Sequence, residues 1–195
     1  SRPRRCIRGV FAVQQGRRRR MSVRSLPCRR RVRRVTTTPQ PQPPAPRRTV
    51  TPDRLAATVS ACRALIENRF PGEGSDDVER GAAAMLLDDG TILTGTAPDV
   101  VNPGVEVCHE TEPFAAAFRL GRAIVASVCL AREAPGRFVV LSPCGVCRER
   151  LAGHGPDVRV AVPRPGDERG DPAWITLDEA LPYYWAAVFA DVPWR

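Results

Sequence analysis

Apolar positions recur at two different periods along most of the chain, and each change of period marks an element. Leu55, Val59, Cys62, Leu65 and Ile66 return every three or four residues, which is one face of a helix. Thr51 as a cap and Pro52 in the first turn start it, and the pattern carries it to about Phe70. Pro71 to Asp77 reads as loop. Two apolar runs, 80–87 and 91–96, flank Asp88-Asp89-Gly90 and predict a hairpin. A Pro- and Gly-containing loop follows over 97–107. Thr111 to Phe118, with Pro113 near the start, predicts a helix over about 109–121. Ala123 to Ala131 is apolar on both faces and so reads as a central strand. Arg137 to Leu141 is a short strand, 144–153 a helix ending at Gly153, and Asp157 to Val162 an alternating strand. Leu177 to Phe189 reads as a last helix, with Pro182 inside it as the residue able to split it. Helices alternating with about five strands predict an α/β sandwich around a mixed sheet.

Charge divides the chain sharply. Residues 1–50 hold 16 Arg and no acid, whereas residues 51–195 hold 14 Arg against 21 acids, a net −7. The overall charge of +9 therefore belongs to the first fifty residues, and all 30 basic residues are Arg. We divide the chain into an Arg-rich disordered extension (1–34), a Pro-rich linker (35–52) and one domain (53–195). The extension has three readings: translated sequence ahead of a true start at Met21 or Val35, an arm for nucleic acid, or an organelle transit peptide. The first is preferred. An acidic domain argues against a polynucleotide substrate, because phosphate backbones are bound through basic surfaces. No run of 18 apolar residues predicts a membrane span, and Val10 to Val13 is too short for a secretory signal.

The candidate chemistry lies in two short motifs. Cys108-His109-Glu110 is followed 36 residues later by Pro143-Cys144-Gly145-Val146-Cys147. Three thiolates leave the fourth position of a tetrahedral zinc open to water, and the pattern of an x-Glu motif with Pro-Cys-x-x-Cys is the one zinc deaminases carry. Cys144 and Cys147 are three apart, so one helical turn brings their sulfurs together. Cys108 and Cys144 both fall at predicted helix starts, where free N–H groups favour thiolates. Arg148 is a further candidate, placed to donate to a thiolate. Glu110 is placed to move a proton between water, the ring and the leaving ammonia. A closed structural zinc site would need a fourth ligand from His109, Cys62, Cys129 or His154. Cys129 reads as core and His154 as a helix-end residue, so the catalytic reading is preferred. Seven cysteines, three of them held as thiolates, fit a reducing cytoplasm.

These residues resemble the cytidine deaminase superfamily, in its compact three-cysteine branch of free-nucleoside cytidine deaminases and blasticidin S deaminase. Ser142 to Leu151 is close to the family's S-P-C-G-x-C-R-Q-x-L, Gly81 to Gly95 resembles its first hairpin, and Glu179-Ala180-Leu181-Pro182 with Tyr184 and Trp185 resembles the tail of blasticidin S deaminase. The resemblance spans about residues 53–188. It implies a three-layer sandwich and one zinc per subunit on Cys108, Cys144 and Cys147, with Glu110 as the proton shuttle. It also implies a homotetramer and hydrolytic deamination of a cytosine nucleoside. The substrate positions depart from the family. Val78 stands where an aromatic is usual, and Ala97 and Asp99 stand where an N-x-E pair binds the sugar. Asn102 and Glu106 are alternatives for that role, and His109 replaces a small residue. Cytidine or deoxycytidine is the first expected substrate and blasticidin S the second. A zinc-stabilised nucleic-acid-binding module using the basic arm is the competing class.

Overall fold

The computed structural model describes residues 50–71, 80–166, 170–189 and 194. All of them belong to one compact unit, Gln42–Arg195. The Arg-rich extension, the linker as far as residue 49, and Val78 lie outside the described residues.

Among the described residues six strands form one sheet: β1 (Gly81–Leu87), β2 (Ile92–Gly95), β3 (Ile124–Ala134), β4 (Arg137–Leu141), β5 (Arg159–Val162) and β6 (Ala173–Thr176). The order is β2-β1-β3-β5-β6, with β4 also paired to β3. All pairings are antiparallel except β3 with β5, so the sheet is mixed. It has one strand more than the sequence pattern indicates. The extra strand is β6, only four residues long and directly after Pro172, too short for its alternation to register.

Helix α1 (Pro52–Arg69) covers one face of the sheet. Thr51 Oγ1 accepts the Arg54 N–H at its start, as the cap-and-proline signal requires. Val59, Cys62 and Ile66 pack there with Ala82, Ala84, Val128, Leu130 and Val140. The other face carries α2 (Thr111–Leu120), α3 (Gly145–Ala152) and the single-turn α4 (Leu177–Ala180). Met85, Leu87, Ala117, Leu151, Val160 and Leu177 fill that layer. Strand residues alternate between the layers with period two, as a pleated sheet requires. A register shift between Leu86 and Leu87 lets Ile124 join Leu87 on the α2–α3 side.

The helix expected over Leu177 to Phe189 does not form as one element. It stops at Ala180, and Pro182 is followed by Tyr183 with φ 58°, a left-handed backbone that ends a right-handed helix. A 3-10 turn, Trp185–Val188, replaces the rest.

Strand β3 is central and also the place where the sheet forks. β5 pairs its first half at Ala126 and Ser127, and β4 pairs its second half from Cys129 onward. The connection from β4 to β5 runs through α3, so the cysteine motif begins where the two strands part. Such switch points open crevices at the ends of strands.

Candidate metal centre and active site

Cys108 lies just before α2 and Cys144 is the N-cap residue of α3, with Cys147 one turn further on. The sulfurs of Cys108, Cys144 and Cys147 all lie within 4.8 Å of one another, and Cys144 Sγ is 3.4 Å from Cys147 Sγ. Zinc bound by thiolates at about 2.3 Å in a tetrahedron needs sulfurs about 3.8 Å apart, so this donor set fits the metal. The burial is graded: Cys147 is in the core, Cys108 is half-buried and Cys144 is exposed.

Three sulfurs this close share their charge unevenly when no metal holds them. The hydrogen bond with Cys147 draws the Cys108 thiol down to about 6, against the effect of its burial. Cys147 is pushed up by that same bond to Cys108 and by burial. Metal binding requires these thiols to be deprotonated, so a cation and protons compete for the site.

Glu110 is only 3% exposed and forms the N-cap of α2. Its Oε1 accepts from Ser127 Oγ at 2.7 Å, and its carboxylate is among the groups that push up the Cys147 thiol. Ser127 belongs to neither cysteine motif. Its signal is a lone hydroxyl in the apolar run Ile124 to Leu130, a position that asks for a buried partner.

The two cysteine helices are tied together. Arg150 donates to Thr111 Oγ1 at 2.8 Å, linking α3 to the first residue of α2. Arg148 does not reach a thiolate. Its Nε donates to Pro143 O at 2.7 Å and a terminal nitrogen to Ala180 O at 2.9 Å, so it holds the loop before Cys144 against α4. Tyr184 and Trp185 donate to the two carboxylate oxygens of Glu149, which docks the C-terminal aromatics on α3.

A cavity of about 490 Å³ opens on this cluster. It is lined by Cys108, His109, Glu110, Cys129, Leu141, Ser142 and Cys144, and by Ala97, Pro103, Glu106 and Val107 of the loop before Cys108. Of the residues considered for the sugar end, Ala97, Glu106 and His109 line the cavity. Asp99 and Asn102 do not. Asn102 instead accepts the Gly104 N–H and caps the 3-10 turn Pro103–Val105. His109 is buried, not partly exposed as a helix-start residue would be. Its Nδ1 accepts the Ala97 N–H at 2.8 Å, and its ring lies so close over Gly81 that a Cβ there would overlap it.

Two of the other candidates for a fourth ligand are engaged elsewhere. Burial pushes the Cys62 thiol up to about 12, and it donates to Ala82 O on the α1 side of the sheet. His154 Nδ1 accepts the Ile124 N–H and does not cap α3. Cys129 lines the cavity but is not in the three-cysteine group. Three sulfurs, a buried carboxylate beside them and an adjoining cavity are the parts of an open, hydrolytic metal site.

No protein-family model matches the chain. A cytidine deaminase of Halalkalibacterium halodurans is 30% identical over 101 residues, which is 51% of this chain and 72% of that protein. The chain belongs to the cytidine deaminase family. The crystal structure of the cytidine deaminase from Bacillus anthracis has a TM-score of 0.62 at 38% identity, covering 70% of this chain and 92% of that one. A cytidine deaminase of Mycobacterium tuberculosis is 36% identical over 74 residues, 53% of its length. The cytidine deaminase from Mycobacterium leprae shares the fold at 23% identity, with a TM-score of 0.52. Family membership and the mixed α/β sheet agree with the expectations drawn from Cys108-x-Glu110 and Pro143-Cys144-x-x-Cys147.

Proposed function

We propose that this chain is a zinc-dependent aminohydrolase that deaminates a free cytosine nucleoside, cytidine or deoxycytidine, to its uracil form with release of ammonia. The observation that carries the reading is the buried Glu110 beside Cys108, Cys144 and Cys147 at one wall of a cavity. Those three cysteines hold one zinc per subunit. Zinc in such a site supplies a water activated at neutral pH. Glu110 takes the proton of the attacking water, passes it to ring N3, and delivers a proton to the departing amine. Ser127 and the α2 N-cap position hold that carboxylate out of bulk solvent. Arg148 and Arg150 fix the two helix starts and stand outside the chemistry.

Ala97 favours a second reading for the substrate. It lines the cavity without a side chain able to hydrogen-bond a sugar, and Glu106 is the carboxylate that the same loop adds to the lining. This suits a nucleoside antibiotic such as blasticidin S, whose sugar end differs from ribose. A nucleic-acid-binding module has less support, since an acidic domain suits a small neutral substrate better. The reading takes the enzyme as cytoplasmic and homotetrameric. Exposed Trp185, Val188 and Phe189 beside the cysteine helix support a subunit contact there. No helix among the described residues is long and apolar enough to cross a membrane.

Loss of the cytosine chromophore tests the reading, with the full chain loaded with zinc and offered cytidine, deoxycytidine and blasticidin S separately. Turnover of either nucleoside supports it. Turnover of blasticidin S alone moves the enzyme to antibiotic resistance. Zinc binding without turnover on all three contradicts the deaminase assignment.

A further inference from the structure

Ser127 is an outlier in its strand. Its neighbours along β3 are Ala126 and Val128, and its cross-strand partners are Met85 and Val160. The residue is 2% exposed, and a buried hydroxyl without a partner is costly. Its partner is Glu110 Oε1 at 2.7 Å, a charge-assisted distance. The bond crosses from the middle of the sheet to the α2 start, at the point where β4 and β5 part. Glu110 has one side-chain torsion more than aspartate, and the α2 backbone alone leaves its carboxylate free to turn.

We propose that Ser127 is a positioning residue for the proton transfer carried by Glu110. By holding Oε1, it fixes the plane of the carboxylate and leaves the rest of the group turned toward the cysteine cluster and the cavity. This inference rests on the deaminase reading of the same site. Ser127 bonds to Glu110 and is not part of the cavity lining. Its effect is therefore on turnover and not on metal content or substrate affinity.

The test uses the full chain with zinc and three substitutions. Ser127→Ala removes the hydroxyl, Ser127→Cys keeps the size with a weak donor, and Ser127→Thr keeps the donor. The expected result is a kcat about ten- to a hundredfold lower in the Ala and Cys variants, the scale of a misplaced catalytic group. KM and zinc content stay within about twofold, and Thr recovers most of the rate. An infrared difference spectrum supplies a readout independent of turnover. The Glu110 carboxylate band, assigned by its loss in Glu110→Gln, shifts in Ser127→Ala and returns in Ser127→Thr. Wild-type kcat in Ser127→Ala, or equal recovery by Cys and Thr, overturns the proposal. So does a loss of rate that tracks lost zinc or lost folding. An inactive wild-type protein overturns the deaminase reading instead, while the infrared band still decides whether Ser127 holds Glu110.

Discussion

The cavity has a cysteine wall made of helix starts and a second wall made of the Ala97 to Val107 loop. In the first, each reactive group sits at a position set by regular structure: Cys144 at an N-cap, Cys147 one turn on, Glu110 at the N-cap of α2. Those positions are cross-braced by Arg150 to Thr111 and Ser127 to Glu110. In the second, residues 98–107 are exposed, and Asn102 spends its side chain on a turn of its own. The cysteines and Glu110 are thus placed by periodicity and the facing residues by a loop. The two walls therefore respond to substitution differently.

The largest effect is expected at Cys147. Cys147→Ser removes a donor that is also core, so metal content and turnover fall together. Losing several kcal/mol of metal-derived stabilisation corresponds to a rate loss of about a thousandfold or more. Atomic absorption and the chromophore assay on one preparation check this. Turnover that survives loss of zinc would break the distinction between the walls.

Next in size is Gly81→Ala. The new Cβ meets the His109 ring, the piece that ties the loop to the α2 start through Ala97. A stability loss of about 1–3 kcal/mol is expected, the usual cost of overpacking. Urea denaturation measures it, and His109→Ala in the same protein should recover part of it, a coupling that a double-mutant cycle isolates.

A smaller effect sharpens the loop wall. Glu106→Gln should raise KM about two- to fivefold, the scale of one exposed charge, while Asp99→Asn changes it less than about twofold. Equal effects at the two positions would mean that the loop meets substrate through Asp99 after all.

The smallest effect lies away from both walls. Burial holds the His154 imidazole below its ordinary pKa of 6.5, with Asp88 opposing. The unfolded chain then binds this proton more readily than the folded one. The stability associated with neutral His154 is full above pH 6.5 and is lost as pH falls toward the folded value. Thermal unfolding between pH 7.5 and 5 checks this, and His154→Gln should flatten that part of the slope.

The difference between the walls also explains what could be read in advance. The cysteine motif is short-range pattern: spacing of two before α2, spacing of three in α3, and a proline ahead, all features that local backbone geometry converts directly into position. Helix α1, the hairpin and β3 were legible for the same reason, since their apolar periods are long enough to count. β6 was not, because Ala173–Thr176 offers only two residues per face. The last helix was over-extended because Trp185, Val188 and Phe189 keep an apolar rhythm that Pro182 and Tyr183 interrupt in the backbone. Ala97 lines the cavity and Asp99, two residues on, does not, because a loop containing a 3-10 turn does not advance its side chains at a fixed period. Ser127 and the burial of His109 needed the third dimension, since their partners lie 17 and 12 residues away.

Glu110→Gln is the measurement that bears most directly on the central claim. The full-length variant should bind one zinc as the wild type does, fold with the same melting profile, and lose turnover of cytidine by about a hundred- to ten-thousandfold, the range for a general acid–base group. A Glu110→Gln protein that holds zinc and still deaminates at near the wild-type rate would contradict the account.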